Sequence, residues 1–375
     1  MKTTAGGRDP RLDAWRGAAM LIIYVAHIQW NPWSDYIPAR FGPSDAAEMF
    51  VFCSGYAAAI AFGGTFARAG FWMGTGRILL RCWQIYWAHL GLFFATVAVT
   101  AAMTALFGGG GRDFYGGLNL GPFLDDTARL TLGLFTLTYV PNYFDILPMY
   151  MVILLLVPVV VALQRLAPWA AAAFCLLLYA AAWAGLDLPA EPWSDRPWYF
   201  NPFAWQILFF TGFALGRGWL RPPPASPPLL LLAAAFVLLM VPLSRWQIYE
   251  AHPLLKAVHD WVWVTDFKTD EHPLRYLHAL ALTCLAVRLI RGREGWLLGP
   301  WLRPVVTVGQ QALAAFLASM TLAWIASILL DLAGRTPLTL AVANLGGLLT
   351  VVAVAYVVAW YKSQPWRRVP SAAAA

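Results

Sequence analysis

The sequence predicts an all-α fold, a polytopic integral membrane helical bundle of about ten transmembrane helices with both termini cytoplasmic. Three observations carry this expectation. Of the 375 residues, 60% are hydrophobic and only 12% are charged, whereas soluble domains carry about 25% charged residues. The apolar runs are long, nearly charge-free and rich in Leu, Ala, Val and Trp. That composition fits helices of roughly 20 residues better than the alternating strands of about ten residues in an outer-membrane barrel. Finally, the basic residues segregate to alternate loops, as a cytoplasmic bias requires.

Taken in order, the predicted spans lie at residues 12–33, 46–67, 78–106, 146–167, 169–186, 202–219, 229–243, 272–290, 304–330 and 338–361. The amphiphilic run at 127–140 is too short to cross alone and is expected to be a half-helix or an interfacial helix. With both termini inside, sixteen Lys or Arg, among them Lys2, Arg8, Arg68, Arg77, Arg81, Arg165, Arg217 and Arg368, fall on cytoplasmic segments, against nine outside. Acidic residues such as Asp113, Asp125, Asp187, Asp266 and Glu271 fall outside. An eleventh span at 127–140 would invert every later loop and destroy this separation.

The net charge of +7 is therefore read as a positive-inside bias, and no nucleic-acid surface is expected. Arg8 and Arg11 precede an apolar run as in a signal peptide. That run ends in QWNPWSDY without a small-residue cleavage site, so it is expected to stay as the first span. Cys53, Cys82, Cys175 and Cys284 are widely spaced inside apolar runs and suggest neither a disulfide framework nor a thiolate metal site. The outer segments 191–203 and 244–276 mix Trp and Tyr with Asp and Glu, which suits either sugar binding or an interfacial aromatic belt. The glycine run at 108–111 lacks the Lys-Ser or Lys-Thr of a phosphate loop and reads as a flexible outer loop. No internal repeat is visible.

Ionisable groups in hydrocarbon cost on the order of several kcal/mol unless paired, so they mark function. Residues 11–54 concentrate them: Asp13, Arg16, His27, Asp45 and Glu48. Arg16 and His27 are eleven positions apart, which places them on one helical face about 16 Å apart. Asp13, Arg16, Met20, Ile23 and His27 form a single track from the cytoplasmic end toward the outer third. Glu48 opens the second span at a similar depth, where a carboxylate beside an imidazole would make it a better base. The spacing Asp45-Ala46-Ala47-Glu48 is equally that of a capping box.

Asp145 opens the fourth span, and Asn201, Trp205 and Gln206 open the sixth, converging polar groups at the outer level. On the other face, Arg68, Arg77 and Arg81 surround the loop between the second and third spans, with Asp13 and Arg16 at the same level; forked guanidinium groups suit phosphates. His89 faces an apolar helix and is expected to be a packed core residue. His252, His259, His272 and His278 lie in or near an outer loop with no metal spacing, so no metal site is assigned.

The first span, with Arg followed by ten residues and His, resembles the membrane acyltransferase-3 superfamily. More narrowly, RLDAWRG, FGPSDAAEMFVFCSGY, FDILPMY and NPFAWQILFFTGFALG resemble the OpgC family, the succinyltransferases of osmoregulated periplasmic glucans. The likeness runs to about residue 220 and continues more weakly through VGQQALAAFLAS. The segment GQQALAAF lacks the basic or His residue expected after its Gln, so no role is carried onto Gln310 or Gln311.

The resemblance implies ten spans with both ends inside and a single membrane acyltransferase domain over residues 1–375, with a bundle at about 12–361 and a cytoplasmic tail from 362. It implies a bacterial inner-membrane enzyme that holds no permanent cofactor. Acyl-CoA, probed first as succinyl-CoA, is the donor, and a periplasmic glucan hydroxyl is the acceptor. Membrane lipid is the remaining partner, and no oligomeric state is implied. His27 becomes the catalytic base and Arg16 part of the donor site.

Around these, the residues themselves suggest Glu48 or Asp45 as orienting carboxylates, and Asp13, Arg77 and Arg81 beside Arg16 at the CoA phosphates. Asp145, Asn201, Trp205 and Gln206 are expected at the acceptor. The expected chemistry is direct transfer, with a covalent acyl carrier on Ser54 or Tyr24 as one alternative. An acetyltransferase acting on another periplasmic or surface glycan and a secondary transporter are the others, although a transporter usually shows two related halves.

Overall fold

The computed structural model describes residues 9–108, 114–224, 226–263 and 267–367. Lys2, Arg8, Asp113, Asp266 and Arg368, most of the 108–111 glycine run and the terminal alanines lie outside the described residues. In chain order the helices are α1 (Pro10–His27), α2 (Ala46–Ala61), α3 (Gly63–Arg68), α4 (Phe71–Phe107), α5 (Gly121–Asp125), α6 (Thr127–Thr136), α7 (Ile146–Leu166), α8 (Pro168–Trp183) and α9 (Pro202–Arg217). They continue with α10 (Pro227–Ser244), α11 (Trp246–Tyr249), α12 (Pro253–Val262), α13 (Pro273–Ile290), α14 (Glu294–Leu297), α15 (Arg303–Gln310), α16 (Ala312–Ala333) and α17 (Pro337–Lys362). Among the described residues the only β contact is an isolated bridge between Pro189 and Pro197.

Each predicted span coincides with a helix or with two successive helices. Among the described residues, seven segments are long and apolar enough to cross a membrane: Ala46–Arg68, Phe71–Phe107, Ile146–Leu166, Pro227–Ser244, Pro273–Ile290, Ala312–Ala333 and Pro337–Arg367. The other three predicted spans correspond to α1, α8 and α9. The last two have 16 residues each, and α1 carries Arg11, Asp13 and Arg16 in its first two turns. The run at 127–140 holds only α6, of 10 residues, too short to cross.

One boundary differs from expectation. The first span was expected to run to Trp33, but α1 ends at His27. Trp30 adopts the left-handed region at φ 54°, and the Asn31 side chain accepts from the Trp33 N–H at 3.2 Å to start a 3₁₀ turn at Pro32–Tyr36. The helix stops because Ile28 is already extended, at φ −71° and ψ 114°, outside the helical region. At its start, α1 has Pro10 at the first position and Asp9 accepting from the Arg11 N–H at 3.0 Å, the arrangement that satisfies an unpaired helix start.

The chain packs as two compact units, Met1–Ile37 with Ala286–Ala375, and Pro38–Leu285. In the first, α1 lies against α15, α16 and α17. The α1–α15 crossing is backbone on backbone: a Cβ at Gly17 would run into the Val305 carbonyl, and one at Gly309 into the Asp13 carbonyl. Farther along, the Tyr24 hydroxyl donates to the Ala343 carbonyl at 2.7 Å. Asn31 and Asn344 exchange side-chain amide bonds at 2.8 and 3.1 Å.

In the second unit α2 lies along α9, where Gly55 and Gly212 bring the Phe209 and Phe52 carbonyls into contact range. The helices α7 and α8 complete this layer, and α4 packs on α7. The loop at 267–272 is pinned to the start of α9. The Trp205 Nε1–H donates to the carbonyls of Lys268 and Thr269 at 3.0 and 3.1 Å, and the Asn201 N–H donates to Thr269 at 3.1 Å. The Tyr179 hydroxyl donates to the Glu271 carbonyl at 2.8 Å. No disulfide joins the described cysteines.

Candidate active site

In the first unit, the α1 track is laid out as its periodicity dictates. Asp13, Met20 and Ile23 are buried, and Arg16 and His27 are half-buried. The Arg16 Nε is buried without a hydrogen-bond partner. His27 closes the helix, and its Nδ1 lies 2.7 Å from the Ile23 carbonyl one turn back. Only a protonated Nδ1 can bond a carbonyl, so this contact assigns the tautomer that leaves the lone pair on Nε2. The orienting group on the imidazole is thus a backbone carbonyl of its own helix.

In the second unit, the carboxylates of α2 meet partners the sequence reading left in an aromatic loop. The capping box forms: the Asp45 side chain accepts from the Ala47 N–H at 2.7 Å, and the Asp45 N–H donates to Glu48 at 2.7 Å. The same carboxylates hold cations. Lys268 Nζ donates to Asp45 at 2.6 Å, and the Arg275 guanidinium donates to Glu48 and lies 3.6 Å from Asp45. Glu271 sits 3.7 Å from the Arg275 Nε, and neither of its oxygens has a hydrogen-bond partner. Glu48, Glu271 and Arg275 are all buried.

Burial alone would raise Asp45, but the charges of Lys268 and Arg275 outweigh it and hold its carboxyl well below the usual range. Lys268 is raised in turn: burial would lower it, but the acidic groups around it, Asp45 foremost, together outweigh that. Glu271 goes the other way, pushed well above the usual range by burial and by the neighbouring Glu48. Three carboxyls face two cations, so a proton retained on Glu271 neutralises the cluster.

One turn along α13 from Arg275, His278 continues the same face. Its Nδ1 lies 2.7 Å from the Ser44 hydroxyl, the residue before the Asp45 cap. Ser44, Asp45 and Glu48 on one side therefore oppose Glu271, Arg275 and His278 on the other. Lys268, Glu271, Arg275 and the Ser44–His278 contact escaped sequence reasoning. The available signal was the spacing of Arg275 and His278, one turn apart on α13, with Glu271 just before that helix.

The remaining predicted site residues are placed as follows. Asp145 is buried and accepts from the Tyr199 N–H at 2.9 Å; burial pushes it up to about 6 despite that bond. Asn201 caps α9 through the Phe203 N–H and donates to the Leu186 carbonyl and to Asp270 at 2.9 and 2.8 Å. Gln206 donates to the Cys175 carbonyl at 2.7 Å, while its buried Oε1 has no hydrogen-bond partner. The Trp205 donor is taken by the 268–269 carbonyls. These groups are brought together, but most of their bonding capacity ties chain to chain.

At the other end of α2, Arg77 donates to the Ala61 carbonyl and the Thr65 hydroxyl, both at 2.7 Å. Arg81 reaches Gln84 at 3.1 Å. Asp13, Arg16 and His27 belong to the first unit; the other predicted site residues belong to the second. His89 is fully buried, edge-on to Phe144, with neither ring nitrogen hydrogen-bonded. No cluster of His, Cys, Asp and Glu suited to a metal occurs among the described residues.

Apolar membrane-length helices around a few buried charged and polar clusters define a polytopic α-helical membrane protein. The model of the OpgC protein family matches residues 8–363, and the chain belongs to that family. Comparisons with curated proteins and with solved structures returned no match.

Proposed function

We propose that the chain is an O-acyltransferase of the bacterial inner membrane. It moves a succinyl group from cytoplasmic succinyl-CoA to hydroxyls of an osmoregulated periplasmic glucan. Membership of the OpgC family supports acyl transfer, and the charge bias of the loops supports ten crossings with both termini inside.

The observation that carries the chemistry is the contact between His27 Nδ1 and the Ile23 carbonyl. It holds the ring in one orientation with Nε2 as the proton-accepting nitrogen, the requirement for a base toward a sugar hydroxyl. Arg16, about three turns earlier on the same face and one turn after Asp13, serves the donor's phosphates. An extended pantetheine arm is comparable in length to the roughly 16 Å between Arg16 and His27.

In this reading Asp45 and Glu48 keep Lys268 and Arg275 charged and fixed. Asn201 and Trp205 hold the loop that frames the acceptor, while Asp145 and the open Gln206 carbonyl oxygen offer acceptors to sugar hydroxyls. The test is purified protein with labelled succinyl-CoA or acetyl-CoA and a neutral cyclic glucan, read by product mass. His27→Ala is expected to lose transfer by about 10²–10⁴-fold, the range of general base catalysis, with unchanged elution on size exclusion. Wild-type succinylation by a folded His27→Ala protein refutes the role of His27; a product carrying acetyl alone refutes the succinyl donor.

A further inference from the structure

We propose that Ser44 and His278 form a nucleophile–base pair, and that the acyl group passes onto Ser44 before it reaches the glucan. This rests on the acyl-transfer reading above and changes its first step. A serine becomes a nucleophile when a base lies within hydrogen-bond reach of its hydroxyl. Ser44 meets that condition at 2.7 Å from the His278 Nδ1. The two hydroxyls that the sequence offered as acyl carriers do not: Tyr24 is bonded to the Ala343 carbonyl, and the buried Ser54 Oγ has no hydrogen-bond partner.

The surroundings of the pair suit the chemistry. Ser44 and His278 are each 2% exposed, so an ester formed there is kept from bulk water. The imidazole is wedged in place: a Cβ at Gly42 would strike it, and the Phe236 ring meets it edge-on at 6.0 Å. Its Nε2 has no hydrogen-bond partner. In the tautomer that carries the hydrogen on Nε2, Nδ1 has the lone pair that takes the serine proton.

The steps balance as follows. The Ser44 hydroxyl gives its proton to His278 Nδ1, and Oγ attacks the thioester carbonyl. The C–S bond breaks, and the CoA thiolate takes the proton back from His278, giving free CoA and an acyl ester on Ser44. A glucan hydroxyl then attacks the ester and releases its proton, the C–Oγ bond breaks, and the serine alkoxide recovers one proton through His278.

The experiment is rapid-quench mass spectrometry of the full-length protein with labelled succinyl-CoA and no glucan. One acyl group on the peptide containing Ser44 is expected, chased into glucan when a neutral cyclic glucan is added. His278→Gln should slow acylation by about 10²-fold or more. Ser44→Cys should move the label to a hydroxylamine-sensitive thioester, an outcome that a structural serine would not give and that keeps the test open if Ser44→Ala fails to fold. The proposal is overturned if wild-type protein succinylates glucan without any adduct at residue 44 and folded Ser44→Ala keeps its rate within about threefold. Absence of any transfer to glucan would instead sink the acyl-transfer reading itself.

Discussion

Two buried clusters, one in each compact unit, hold their polar groups in opposite ways. Behind α1, the first unit uses neutral pairs: the Tyr24 hydroxyl on a carbonyl, the reciprocal Asn31–Asn344 amides and the Ser327 hydroxyl under the Gln29 N–H at 2.9 Å. At the start of α2, the second uses full charges on Asp45, Glu48, Lys268 and Arg275. Satisfied neutral pairs cost little to bury and fix geometry. Buried ions cost several kcal/mol each, and a hydrophobic replacement is often as stable. An arrangement that a packed apolar core could replace is weak evidence for stability and better evidence for use. The neutral network therefore reads as the frame that holds His27, and the ionic cluster as a set of charges held ready beside Ser44 and His278.

The sharpest way to break this contrast is Arg275→Ala. It strands Glu48 and leaves Asp45 with Lys268 alone, so the second unit should lose about 3–5 kcal/mol, the cost of an uncompensated buried charge. Thermal unfolding in detergent measures this. The double variant Arg275→Met with Glu48→Leu should recover most of the stability while leaving acyl transfer defective. Recovery of activity along with stability would show the cluster to be structural.

The parallel test in the first unit is milder. Asn31→Ala leaves the buried Asn344 amide without its partner, which should cost about 1–3 kcal/mol. Adding Asn344→Leu should relieve part of that loss, because two apolar groups replace a broken pair. If Asn31→Ala proves as damaging as Arg275→Ala, the neutral and ionic clusters are not energetically distinct and the comparison fails.

How much of this was legible in the sequence follows the range of the interactions. Helix positions could be read because apolar length and charge are local. The Asp45–Glu48 capping box could be read because its partners are three residues apart. The rest of the cluster is long-range: Lys268 meets Asp45 across 223 residues, Arg275 meets Glu48 across 227, and His278 meets Ser44 across 234. Nothing in one sequence encodes those pairings, so residues 244–276 were read from their aromatic content. The end of α1 at His27 differs from the expected span for a related reason, since it depends on an extended Ile28 followed by a left-handed Trp30 that no local rule favours.

The charge count of the cluster gives a prediction in pH. Glu271 is held above its ordinary value of 4.5 by burial and by Glu48. For an acid whose folded pKa is raised, the stabilisation is complete below the unfolded value and is lost as pH rises through the folded one. Wild-type Tm should therefore fall as pH is raised from about 5 to about 9, and Glu271→Gln, which mimics the protonated acid, should flatten that slope. Asp45 has the opposite sign: its folded value is depressed, so its contribution is lost only in strong acid. A Glu271→Gln protein with the wild-type slope would mean that the cluster does not hold the proton.

The smallest effect separates the ionic cluster from the basic end of the same unit. Arg77 is exposed and spends one nitrogen on the Ala61 carbonyl and the Thr65 hydroxyl, where α2 gives way to α3. A cation there complements a helix C-terminus by about 0.3–1 kcal/mol, far less than the loss expected at Arg275. Arg77→Gln should leave Tm within a degree or two, yet raise KM for acyl-CoA if the guanidinium also serves the donor's phosphates. The increase should shrink as salt is added, because an exposed charge is screened over about 8–10 Å at physiological ionic strength. An unchanged KM at low salt would reduce Arg77 to a helix-end contact and leave Arg16 as the donor-side arginine to test next.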